Sequence, residues 1–194
     1  MITGLCLYDR DEQGDGLPHR LREFLDAGPP PIVFTLGSSG VWVAAGFYQA
    51  AAEAALALGK RAVLLTGPVP QNQPVSLPRE ILAVEYARHS ELFPRAAAIV
   101  HHGGAGTTGQ ALRAGKPMVV VPFSHDQPDN GARCERLGVA RVVPRRAVSA
   151  RRLAAALRQL LEDPGVVARA AEVGERTRAE RGAEAAADAI ERVL

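Results

Sequence analysis

Cysteine is nearly absent from this chain. Cys6 and Cys134 are its only two, too few for a disulfide framework and without zinc-ligand spacing, so two free thiols in a reducing compartment are expected and the cytoplasm is the predicted location. Long apolar runs are missing as well: nothing approaches the ~20 residues needed to cross a bilayer. The opening MITGLCLYDRDEQGDGLPHR turns acidic before a signal-length apolar core forms, which predicts a soluble protein with at most peripheral membrane association. Charge of one sign is lacking too. With 23 basic against 21 acidic side chains and a net charge of +2, no single-signed field exists of the kind that nucleic-acid partners require. Aromatics are only 5%, a composition that suits Ala-rich helices over a Val/Ile/Leu sheet.

What is present is enough apolar material, 47% of 194 residues, for one globular core. Residues 1–30, polar and ending in Gly28-Pro29-Pro30-Pro31, read as a lead-in or linker, and residues 31–194 as the domain. Short β-rich runs are expected at Ile32 to Gly37, Arg61 to Gly67, ILAVEY, Ala96 to Val100, PMVVVP and ARVVP. Between them lie helical stretches: Trp42 to Leu58, one turn at SELFPR stopped by Pro94, a helix running from the glycine-threonine turn to Gly115, and Gln127 to Leu137. Ser149 and Asp163-Pro164 are helix starts, with Leu153, Leu157, Leu160 and Leu161 on one face. Ala168 to Leu194 is a helical tail poor in large apolar residues. Continuous apolar strands alternating with helices predict an α/β, Rossmann-like parallel sheet with helices on both faces.

The chemistry concentrates in IVHHGGAGTTGQALRAGKPMVVVPFSHDQPDN, residues 99–130. GAGTTG, with Gly104, Gly106 and Gly109, has the spacing G-x-G-x-x-G after a strand and at the start of a helix, where free N–H groups and the helix dipole favour an anion. Phosphate is the natural ligand, with Thr107 and Thr108 adding hydroxyl donors. Of the adjacent histidines one must turn away, and His101 is expected to; the same alternation disfavours a metal shared by His101, His102 and His125. The bland alternative is that the glycines only permit close packing. GQALRAGK misses the P-loop spacing and carries Pro where Ser or Thr must hold Mg²⁺, and GSSG is one residue short of a nucleophile elbow. A nicotinamide dinucleotide-binding redox module stays as the second reading, although at least two strands precede this turn and no acidic residue ends MVVVP.

The run from His101 to Asn130 resembles the donor-sugar signature of family 1, GT-B-fold glycosyltransferases: a strand-end His, a Gly-rich turn with Thr, Gly-x-Pro before a buried strand, then Asp-Gln and a nearby Asn. VEYARHSELFPRAAAIVHHGGAGTT is most similar to bacterial enzymes that glycosylate lipids, sterols and polyketides. The resemblance covers roughly residues 31–162, the carboxyl-terminal, donor-binding half. It implies an inverting transfer from a UDP- or dTDP-sugar to a small-molecule or lipid hydroxyl, with no cofactor or metal required. It places His102 on the leaving diphosphate, since the spacing back from Pro117 fits His102 rather than His101, together with Gly104, Gly106 and Thr107, and with Gly37 and Ser38 from the turn after the first strand. Tyr86 takes the place of the aromatic that stacks on the nucleobase, Ala87 offers its backbone to the base edge, and His89 lies near the ribose. Arg88 replaces the usual Pro. Gln110 stands where many members have a ribose-binding Glu, and Asp126 and Gln127 match the pair that holds the sugar. Two of these have structural rivals: Tyr86 as a core aromatic and Asp126 as a helix cap. His125 reads as surface, and Asp9-Arg10-Asp11 as a chance D-x-D. In this family the acceptor pocket and general base lie in an amino-terminal half, for which this chain has no room. An amino-terminal domain or subunit is therefore the implied partner, a homodimer is left open, and a non-catalytic domain that merely keeps the fold is the third reading.

Overall fold

The computed structural model describes residues 2–8 and 16–192; the Asp9-Arg10-Asp11 motif lies outside them. Six short strands form one parallel sheet: β1 (Ile32–Thr35), β2 (Ala62–Leu65), β3 (Ile81–Val84), β4 (Ala98–His101), β5 (Met118–Val120) and β6 (Ala140–Val142), in the order β3-β2-β1-β4-β5-β6. In register, Ile32 of β1 faces Ala62 on one side and Ala98 on the other. The order reverses between β1 and β4. At such a switch point the connections leave the sheet in opposite directions and open a crevice beyond the strands' carboxyl ends.

Because side chains alternate across a strand, each strand feeds two cores. Ile32, Phe34, Ala62, Leu64, Ala98, Val100 and Val119 pack with α3 (Phe47–Ala57) and α7 (Ala150–Leu161). Val33, Val63, Leu65, Ile99, Met118 and Val120 pack on the other face with α1 (His19–Asp26), α4 (His89–Leu92), α5 (Ala105–Ala114), α6 (Gln127–Arg136) and α8 (Pro164–Ala179). The expected doubly covered parallel sheet is the one observed.

Several local expectations are corrected. The lead-in is not all linker: Leu21 and Leu25 are buried on the inner face of α1, with Leu17 buried just before it, and the Arg61 guanidinium stacks 4.0 Å over Phe24 while donating to the carbonyls of Phe24 and Pro29. The helix expected from Trp42 is broken. Gly37–Gly40 form a helical turn, α2, Val41–Val43 follow as a 3-10 turn, and α3 starts only after Ala45 and Gly46, whose φ of 35° and 69° no continuous helix accepts. Pro94 does not stop α4 but sits in the 3-10 turn Phe93–Arg95 that follows it, at a position where its missing N–H is harmless. β4 runs two residues later at its start and one later at its end than expected, through His101. The tail is two helices, α8 and α9 (Gly182–Glu191), parted at Glu180 and Arg181. Glycine permits the packing of α8: a Cβ on Gly174 would lie 2.6 Å from the Cα of Gly115 at the end of α5.

Candidate functional site

The turns after β1 and β4 meet at the switch point. The imidazole of His102 fills the gap between them: a Cβ on Gly37 would stand 2.5 Å from its Cε1, and one on Gly104 2.3 Å from its Nε2. These two glycines are therefore required by the ring itself. Gly37 (φ 65°) also receives its local turn from Thr35, whose hydroxyl accepts from the Gly37 N–H at 3.2 Å.

The glycines of the second turn have different tasks. Gly103 has φ of 90°, and a Cβ there would meet Val120 at 2.8 Å and the Gln127 carbonyl at 3.0 Å. On Gly109 a Cβ would meet the Leu7 side chain at 2.6 Å. Packing accounts for both. Gly106 differs: a Cβ there would meet nothing within 4 Å, so no protein atom requires its smallness. It lies in the first turn of α5, whose N-cap Gly104 supplies no side-chain hydrogen bond, leaving early N–H groups of the helix without an intrahelical acceptor.

Among the described residues, three fully buried side-chain atoms have no hydrogen-bond partner: His102 Nδ1, Thr108 Oγ1 and Gln110 Oε1. All belong to the segment 102–110. Each such orphan costs about 1–3 kcal/mol, so their concentration in this one segment is an arrangement that folding alone does not favour. His102 is 8% exposed; burial pushes its pKa below the usual histidine value, against the opposing charge of Asp126. Thr107 is also buried at the turn.

His101 turns the other way, as expected. It is fully buried, accepts from the Gly103 N–H at Nδ1 (3.1 Å) and places Nε2 3.3 Å from the Met118 sulfur. Burial, reinforced by the neighbouring His102 and His89, lowers its pKa to about 3. The two rings thus occupy separate environments, which removes the basis for a metal shared between them. His125 is exposed, with φ of 57°, its Nδ1 2.7 Å from the Ser124 hydroxyl.

The remaining predicted residues divide. Tyr86 is 50% exposed and is no core aromatic. Ala87 is buried, and the His89 ring stacks on Phe93 at 4.3 Å. Ser38 lies exposed on α2. Asp126 is exposed at the N-cap of α6 but makes no side-chain cap bond, so the capping rival fails; its carboxylate instead accepts from Asn130 at 2.7 Å. Gln127, expected beside Asp126 on the sugar, is buried and held by the backbone. Its Oε1 accepts from the N–H groups of Phe123 (2.7 Å) and Ser124 (3.0 Å), so that oxygen shapes the loop before α6.

Two features escaped the sequence reading. Asn130 donates to both Asp126 and the Gly103 carbonyl (2.9 Å); its place beside Asp-Gln was visible, its double bond was not. A cavity of about 610 Å³ opens beside the site, walled by Gly46, Phe47, Phe123 and Arg145 among others. Arg145 lies 4.4 Å over the Phe123 ring and donates to the Val43 carbonyl at 3.0 Å. No helix among the described residues is long and apolar enough to cross a membrane.

Residues 55–192 match the family described as erythromycin biosynthesis protein CIII-like, C-terminal domain. The O-mycaminosyltylonolide 6-deoxyallosyltransferase of Streptomyces fradiae is 40% identical over 192 residues, covering 98% of this chain and 44% of that protein. Among solved structures, the glycotransferase of kitacinnamycin superposes with a TM-score of 0.81 at 32% identity, covering 98% of this chain and 48% of the other. Glycosyltransferase VinC, solved in complex with dTDP, superposes with a TM-score of 0.70 at 29% identity, over 86% of this chain and 41% of its own. The chain therefore spans somewhat less than half the length of each of these three relatives.

Proposed function

The chain belongs to the erythromycin biosynthesis protein CIII-like C-terminal domain family, and from that premise we propose that it is the donor-binding half of an inverting glycosyltransferase, holding a UDP- or dTDP-sugar by its diphosphate. The observation that carries this reading is the gathering of His102 Nδ1, Thr108 Oγ1 and Gln110 Oε1 as the described residues' buried, unpartnered polar atoms, beside a helix N-terminus whose Gly106 faces open space.

When the bond from the sugar anomeric carbon to the phosphate oxygen breaks, negative charge grows on the departing diphosphate. Groups fixed in advance around that oxygen set stabilise the transition state more than the ground state. Here the donors are the first N–H groups of α5, the Thr107 hydroxyl and the His102 imidazole, which the diphosphate draws toward its protonated form. These supply positive potential from the protein itself, so the reading assigns no metal to the diphosphate. Gly37 and Ser38 close the site from the turn after β1. In this reading Tyr86, half-exposed, stacks on the nucleobase, with the Ala87 backbone at its edge. Gln110 offers a neutral acceptor to the ribose, with His89 nearby. Asp126 holds sugar hydroxyls, and Gln127 shapes the loop that presents it. The acceptor hydroxyl and the base that deprotonates it belong to an amino-terminal half outside this chain, so the 194 residues bind donor without transferring sugar.

No observation favours the nicotinamide alternative. The glycine turn follows the fourth strand, and β5 runs into Val121-Pro122 without a carboxylate to grip a ribose. Calorimetric titration with dTDP, UDP and NAD⁺ tests the choice. Saturable binding of a pyrimidine diphosphate that is weakened in His102→Ala, with no heat from NAD⁺, is expected; binding of NAD⁺ alone would reverse the assignment, and diphosphate affinities indifferent to both His102→Ala and Thr107→Ala would leave a non-catalytic domain.

A further inference from the structure

Gly103, the residue that opens the phosphate turn, is gripped at both of its backbone polar groups. His101 Nδ1 accepts from its N–H at 3.1 Å, and Asn130 Nδ2 donates to its carbonyl at 2.9 Å. The second hydrogen of the same Asn130 amide goes to Asp126 Oδ2 at 2.7 Å. One side chain thus joins the start of the glycine turn to the carboxylate at the head of α6. A peptide unit is planar and trans, so its N–H and C=O point opposite ways. By fixing the Gly103 carbonyl toward α6, Asn130 aims the Gly104 N–H of that same peptide away from α6.

Resting on the donor-binding reading, we propose that Asn130 is a positioning residue that locks the Asp126 carboxylate to the peptide beginning the phosphate turn, so that the sugar end and the diphosphate end of the site form one rigid unit. His101 anchors the opposite side of Gly103. Its buried ring contributes a neutral acceptor, and the nearby Met118 sulfur receives the Nε2–H. Asn130 touches no ligand in this scheme; it acts through Asp126 and Gly103.

Two measurements test this in the 194-residue chain. The first needs no ligand. In carbonyl-labelled protein, Asp126→Ala shifts the Gly103 ¹³C resonance in the wild-type background and leaves it unmoved in an Asn130→Ala background. An equal shift in both backgrounds, or none in either, overturns the coupling. The second is calorimetry with dTDP-glucose and dTDP. Asn130→Ala weakens dTDP-glucose about tenfold more than dTDP, and that selective loss falls below about threefold when Asp126 is already Ala, the mark of residues acting together. Penalties that simply multiply, or equal losses for the two ligands with an unchanged melting temperature, contradict it. If wild-type protein binds neither ligand, the donor reading falls, while the carbonyl comparison still decides the coupling.

Discussion

His102 sits in a pocket that penalises its charged form and faces a ligand that would restore it. With its pKa lowered by burial, the free ring is neutral near pH 7, and an arriving diphosphate favours the imidazolium. Binding therefore takes up a proton, and affinity rises as pH falls through the neutral range toward the lowered pKa of the free ring. A sugar nucleotide is the right ligand for this test, because both of its phosphates are esterified and do not titrate in that range, whereas a terminal phosphate has a pKa near 6. Calorimetry in buffers of different ionisation heat should register the proton in wild-type protein and none in His102→Ala. His101 acts on stability instead. Its ring is neutral in the fold down to about pH 3, while the unfolded chain protonates near 6.5, so the unfolded state binds more protons between these values. This contribution is complete above pH 6.5 and is lost on acidification toward 3 at up to about 1.4 kcal/mol per pH unit. Denaturant titrations of His101→Asn, which keeps an acceptor for the Gly103 N–H, should show a flatter acid limb than wild type; an unchanged limb would mean that the ring is not the titrating group. The separate fates of the two histidines were legible from strand alternation. The double hydrogen bond of Asn130 was not, because one of its two partners lies 27 residues away and only the fold brings them together.

At the scale of elements, what the residue order encodes locally was legible. Ser149 caps α7 by accepting from the Arg152 N–H, and Asp163 caps α8 by accepting from Gly165 and Val166, with Pro164 in the first turn. Asp163→Ala should cost about 1 kcal/mol in thermal or denaturant unfolding, and no change would show that the α8 start is held by packing alone. Gly115 ends α5 with φ of 68°, as a glycine after a helix commonly does. Packing across elements was hidden. The apolar positions of α1 are diluted in a polar stretch, Ala44–Gly46 look as helical as their neighbours, and nothing near Gly174 announces that it touches Gly115. Gly174→Ala forces a Cβ against that backbone and should destabilise by about 1–3 kcal/mol, read as a lower melting temperature; a neutral result would mean that α8 slides.

For the molecule as a whole, the switch point between β1 and β4 explains why residues as distant as Gly37 and His102 meet, and the proposed donor-binding role assigns this chain only half of a reaction. The chain incubated with dTDP-glucose and a hydroxyl acceptor should yield no glycoside, and chromatographic detection of product would show that a base lies within these residues after all. The central claim, that α5 receives a diphosphate at its open first turn, is tested most directly by Gly106→Ala. Helical Cβ atoms tilt toward the N-terminus, so the new methyl enters the open space where the proposal seats phosphate, without meeting protein, and alanine is the better helix former by up to about 1 kcal/mol. A melting temperature at or above wild type together with at least about a tenfold loss of dTDP affinity, roughly 1.4 kcal/mol, is the expected pair. Unchanged dTDP affinity in a folded Gly106→Ala protein would contradict the account.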